Sequence, residues 1–118
     1  MSDRFRLTLA QLNPTVGAID ANADLAFDAW QQGKAAGADM VALPEMFITG
    51  YNAQDLVMKP AFHHAAMAAV DALALRCADG PALAIGGPFA EGERLYNAYF
   101  ILKGGKVVGR VLKHHLPN

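Results

Sequence analysis

The spacing of apolar and polar residues changes several times along this chain. Phe5-Arg-Leu-Thr-Leu-Ala-Gln-Leu12 alternates in part and is rich in strand formers, which predicts a strand ended by Asn13-Pro14. Asp20 to Asn22 offers caps for a helix. Along that helix Leu25, Ala26, Ala29 and Trp30 recur on one side, and Asp24, Asp28 and Gln32 on the other. Gly37 is a natural stop. Met40-Val-Ala-Leu43 is wholly apolar and runs into Pro44, the pattern of a strand covered on both faces. Residues 44–59 form a long connection, with one helical turn expected near Gln54 to Met58. A second helix is predicted from about Pro60, a good first-turn residue, to about Cys77, and Asp79-Gly80-Pro81 breaks it. Ala82-Leu-Ala-Ile85 reads as another buried strand, closed by Gly86-Gly87-Pro88. Leu95 to Leu102 and Lys106 to Leu112 alternate on either side of Gly104-Gly105, a hairpin signal.

Strand, helix, strand, helix, strand and hairpin, in that order, predict an α/β fold. Its sheet is mainly parallel, carries covering helices and is extended by antiparallel strands. The pattern stops after a strand with no closing helix, so the chain reads as an N-terminal fragment. Phe27, Trp30, Phe62 and Met67 fall at core spacings, and Asn97 lies on a half-buried strand with no role assigned.

Composition narrows the function classes. Hydrophobic residues make up 53% and charged residues 18%, against about 25% charged in typical domains. That excludes a disordered chain. Ten Lys and Arg against eleven Asp and Glu give a net charge of -1, which offers no basic surface to nucleic acid or an anionic membrane. A single cysteine, Cys77, excludes a disulfide framework and fits a reducing compartment. No apolar run approaches the roughly 20 residues of a membrane helix. The expectation is a soluble cytoplasmic protein.

In open α/β sheets ligands sit beyond the carboxyl ends of the strands. Two ionisable residues are expected there: Glu45, after the strand ending at Leu43, and Lys113, after the strand ending at Leu112. Either one alone is more often a solvated loop residue. His63-His64 and His114-His115 are adjacent pairs whose side chains diverge, so neither pair suits one metal ion. Cys77, at the end of an apolar helix, reads as a buried structural thiol.

The segments around those two residues are more specific. Val41-Ala-Leu-Pro-Glu-Met-Phe-Ile-Thr-Gly-Tyr51 and Lys113-His-His-Leu-Pro-Asn118 each resemble a signature of the nitrilase (carbon–nitrogen hydrolase) superfamily. Gln11-Leu-Asn-Pro-Thr-Val-Gly17 resembles the opening of the glutaminase half of glutamine-dependent NAD synthetases. Thr49-Gly-Tyr-Asn-Ala-Gln-Asp-Leu56 followed by Lys59-Pro-Ala-Phe62 resembles the same half. The resemblance implies the N-terminal half of an α-β-β-α sandwich. It implies amide hydrolysis through a cysteine acyl-enzyme, with Glu45 as general base, Lys113 as catalytic lysine and Tyr51 lining the glutamine pocket. It places the cysteine nucleophile downstream of the lysine segment, so this piece alone is expected to be inactive. Glutamine is the implied substrate and the intact enzyme a homo-oligomer. The glutaminase half is expected to need no cofactor; ATP and magnesium belong to a ligase domain outside these residues, where ammonia amidates deamido-NAD. A stand-alone carbon–nitrogen hydrolase, or a truncated non-catalytic binding module, are the other readings.

Overall fold

The protein is described from a computed structural model, which covers residues 4–50 and 59–115. The elements run β1 (Leu7–Leu9), α1 (Ile19–Ala35), β2 (Met40–Ala42), α2 (Pro60–Arg76), β3 (Ala82–Glu91), β4 (Arg94–Lys103) and β5 (Lys106–His115). They build one sheet in the order β1-β2-β3-β4-β5. The two pairs β1–β2 and β2–β3 are parallel, and β3–β4 and β4–β5 are antiparallel. The expected mixed sheet with covering helices is therefore present.

Register explains the core. Val41 pairs with Leu83 and Leu83 with Leu102, so these residues share one face. That face also carries Ile85 and Phe100. It packs against Trp30 of α1 and Val70, Leu73 and Ala74 of α2 in one buried cluster. Phe27 sits at the edge of this cluster and stacks on Trp30; Phe62 and Met67 are only half-buried. The opposite face is apolar but largely bare at its margins, where Leu9 is 68% exposed and Val111 59%.

α1 stops where its glycine predicts. Gly37 takes a φ of 80°, its N–H donates to the Lys34 carbonyl at 3.1 Å, and the Ala38 N–H donates to the Gly33 carbonyl at 2.9 Å. This pair of bonds satisfies carbonyls that the helix end would otherwise leave open. The start of α1 differs from expectation. The helix begins at Ile19 with no side-chain cap, because Asn22 is engaged elsewhere. Its carboxamide accepts from the Thr15 N–H at 2.8 Å and donates to the Thr15 carbonyl at 2.8 Å and the Ile48 carbonyl at 3.1 Å. Asn22 is fully buried and ties the segment before α1 to the segment after β2. Asn22→Ala leaves these backbone groups without partners in the interior, so it is expected to lower unfolding free energy by about 2–4 kcal/mol. Urea denaturation would show this as a lower midpoint with an unchanged slope.

Two strands are longer than predicted. β3 does not close at Gly86-Gly87-Pro88 but runs through them to Glu91, where Gly92-Glu93 turns the chain into β4. β2 pairs with β3 only from Ala82 to Ala84. Among the described residues, only Gly86 still makes backbone bonds on that side beyond Ala84, to Pro44 and Ile48, and past it no described strand pairs with that side of β3, where proline is tolerated. β5 continues past Leu112 to His115, so Lys113 lies inside the strand rather than after it.

Candidate active site

The turn after β2 is held by backbone bonds to β3. The Leu43 N–H donates to the Ala84 carbonyl at 2.8 Å, the Gly86 N–H to the Pro44 carbonyl at 3.3 Å and the Ile48 N–H to the Gly86 carbonyl at 3.2 Å. Phe47, Ile48 and Thr49 are fully buried, whereas Glu45 is exposed. The apolar side chains thus anchor the turn and leave its one carboxylate facing outward. The fit is tight. A Cβ on Gly86 would lie 2.4 Å from the Met46 nitrogen and 2.6 Å from the Glu45 Cα. Met46 itself has a φ of 52°, a left-handed conformation that an unbranched non-glycine residue adopts at some expense.

Lys113 is placed by an irregularity in the sheet. Ala98 pairs with Leu112 and Asn97 with His114, so the ladder skips Lys113. One extra residue in a strand bends it and re-aims the side chains there. The Lys113 ammonium donates to Glu45 Oε1 across 68 residues of sequence. Both side chains remain partly open to water, 42% and 46% exposed respectively. On β4, Tyr99 lies on the same face, opposite Gly86 and Val111. Its hydroxyl donates to the Leu43 carbonyl at 2.7 Å and fixes the end of β2. Leu43, Pro44, Glu45, Tyr99, Val111 and Lys113 line an open cleft of about 340 Å³. A larger groove of about 480 Å³ lies between β1 and α1, with Asp28 its only titratable lining residue, and holds no comparable constellation.

The structure therefore joins Glu45 and Lys113 in one cleft. Tyr51 lies outside the described residues, as do the turn expected near Gln54 to Met58 and the side chains of His114 and His115. Cys77 belongs to the core cluster beneath the helices. Burial pushes its thiol up to about 12, only partly opposed by the Arg76 guanidinium. At neutral pH it stays protonated and is a poor nucleophile. His63 and His64 meet edge to face, their rings 4.8 Å apart. Among the described residues no three His, Cys, Asp or Glu gather as a metal site. Likewise, no helix among them is long and apolar enough to cross a membrane. The sequence reading missed Tyr99, the skipped position at Lys113 and the buried bridge made by Asn22. Alternation along β4 gives the face of Tyr99, but the skip depends on cross-strand register.

The pattern of the carbon-nitrogen hydrolase family matches residues 6–118. The chain belongs to this family. Among carbon-nitrogen hydrolase relatives, the glutamine-dependent NAD(+) synthetase of Rhodobacter capsulatus is 65% identical over 118 residues, which are 100% of this chain and 21% of that protein. The crystal structure of a glutamine-dependent NAD(+) synthetase from Cytophaga hutchinsonii superposes with a TM-score of 0.87 at 28% identity, covering 97% of this chain and 20% of that one. An amidase from Nesterenkonia sp. shares the fold, with a TM-score of 0.79 at 24% identity over 97% of this chain and 44% of its own. The chain thus spans about a fifth of the length of the synthetases it matches.

Proposed function

We propose that these residues form the first part of a glutaminase domain in a glutamine-dependent NAD synthetase. The observation that carries the reading is the Glu45–Lys113 pair, brought into one cleft from the turn after β2 and from within β5. The 65% identity to the Rhodobacter capsulatus synthetase favours the synthetase over a stand-alone amidase. Glutamine is the proposed substrate, and the ammonia released would amidate deamido-NAD in a ligase domain that uses ATP and magnesium. These 118 residues carry no glycine- and serine-rich pyrophosphate loop, so that chemistry belongs elsewhere in the protein. A cytoplasmic, homo-oligomeric enzyme completes the proposal.

The residues divide the work by charge. Amide hydrolysis through a thiol begins with loss of the thiol proton, because only the thiolate attacks. The Glu45 carboxylate takes that proton and returns it to the departing nitrogen as ammonia forms. Attack moves an electron pair onto the carbonyl oxygen. The Lys113 ammonium, a compact charge with three donors, stabilises that oxyanion. One of those donors already reaches Glu45, so carboxylate and substrate oxygen can be served together. The nucleophile in this proposal is a cysteine outside these residues.

The test is ammonia release from glutamine by the full-length protein. A rate above background supports the reading, and none refutes it. Cys77→Ala is expected to leave that rate within about two-fold, because its protonated thiol is confined to the core. The isolated 118-residue chain is expected to release no ammonia.

A further inference from the structure

We propose that Tyr99 is a positioning residue for the hydrolase reaction: its hydroxyl holds the turn after β2 so that the Glu45 carboxylate stays against the Lys113 ammonium. This rests on the hydrolase reading above. The turn leaves β2 through Leu43-Pro44. Leu43 is 3% exposed, so its carbonyl needs a donor inside the protein. Pro44 has no N–H to offer the turn, and its ring fixes its own φ. The Tyr99 hydroxyl supplies the donor, 2.7 Å from the Leu43 carbonyl and 56 residues away in sequence. Glu45 follows directly after the stiff proline, so a displaced Leu43 carbonyl carries the carboxylate with it.

Register puts the tyrosine where it can act in this way. Tyr99 is opposite Gly86 on β3, and directly opposed residues of antiparallel strands are close neighbours. Gly86 has no side chain, and the Glu45 backbone fills its place, with the Glu45 Cα 2.6 Å from where a Cβ would stand. Tyr99 therefore flanks the turn. On its other side Tyr99 is opposite Val111, and the β4–β5 ladder skips Lys113 two residues further along. The tyrosine thus stands on the strand between the two charged residues and lines the cleft with both. The bonds that Leu43, Gly86 and Ile48 donate to the turn and to β3 come from backbone N–H groups. Tyr99→Phe leaves those bonds and the ring in place and removes one donor.

The experiment measures ammonia release from glutamine by the full-length protein carrying Tyr99→Phe, alone and combined with Glu45→Gln. Alone, Tyr99→Phe is expected to lower kcat by about ten-fold or more, as a misplaced catalytic group does, with KM for glutamine within about three-fold. In the Glu45→Gln background the same change is expected to lower the residual rate by less than about two-fold, because the carboxylate that the tyrosine positions is gone. Melting temperature is read alongside. A merely structural role gives another pattern: a lower melting temperature with wild-type kcat, or equal losses of rate with and without the Glu45 carboxylate. Either result overturns the proposal, and so does an unchanged kcat or a Tyr99→Phe chain that fails to fold. A wild-type protein that releases no ammonia from glutamine overturns the hydrolase reading itself and this inference with it.

Discussion

If the proposed synthetase reading holds, Lys113→Met in the full-length protein is expected to cut glutamine-supported NAD formation sharply while ammonia-supported formation continues. Loss of one group that stabilises a developing oxyanion lowers turnover by about 10²–10³-fold. Glu45→Gln, which removes the proton acceptor and keeps the shape, is expected to lower it by about 10²–10⁴-fold. Stability should barely respond. The two side chains are 42% and 46% exposed, and exposed ion pairs contribute about 0–1 kcal/mol. The pair is therefore poor as a staple and well placed as chemistry. Assaying both variants with glutamine and then with ammonium chloride separates the alternatives. Equal loss with both nitrogen sources, or a large drop in melting temperature, would assign the pair a structural role.

Gly86→Ala should damage both stability and activity, for a different reason. The new methyl group would meet the Met46 nitrogen at 2.4 Å and the Glu45 carbonyl carbon at 2.7 Å. These are backbone atoms, so no rotamer change relieves the contact. Overpacking of this kind costs about 1–3 kcal/mol. The turn is the part able to yield, since β3 is fixed between Leu83 and Glu91 by its ladder with β4. Moving Glu45 by about 1 Å is enough to reduce turnover about 10²-fold. The expected result is a lower melting temperature together with a fall in kcat. A variant with wild-type kcat would show that the turn tolerates displacement without disturbing its carboxylate.

The sheet's parts were legible because they rest on local rules. Pro60 begins α2, Gly37 ends α1, and Gly104-Gly105 joins β4 to β5, each through a backbone preference that one or two residues decide. The meeting of Glu45 and Lys113 was legible through the resemblance of their segments to a known family, while the strand-end rule placed Glu45 but put Lys113 after a strand that in fact contains it. Features that depend on partners distant in sequence were not. Gly86-Gly87-Pro88 looked like a strand's end because glycine and proline usually interrupt strands. Here Gly86 makes room for the Glu45 backbone, and Pro88 lies where β2 no longer runs alongside. Asn22 looked like a cap, since Asn at a helix start commonly is one. Its actual partners, Thr15 and Ile48, become neighbours only once β2 and α1 have packed.

Of the two residues the β4–β5 ladder skips, Val108 and Lys113, the second gives this hairpin a sensitivity to length. Deleting Val111 would let the ladder heal. Leu112 would then stand opposite Tyr99, and the lysine opposite Ala98, whose side chain belongs to the core beneath the helices. The shortened chain would keep every titratable group of the wild type, yet its ammonium would be turned toward the wrong layer. Natural variants that gain or lose one position between the Gly104-Gly105 turn and Lys113 must therefore compensate within the same hairpin to keep the two charges in company.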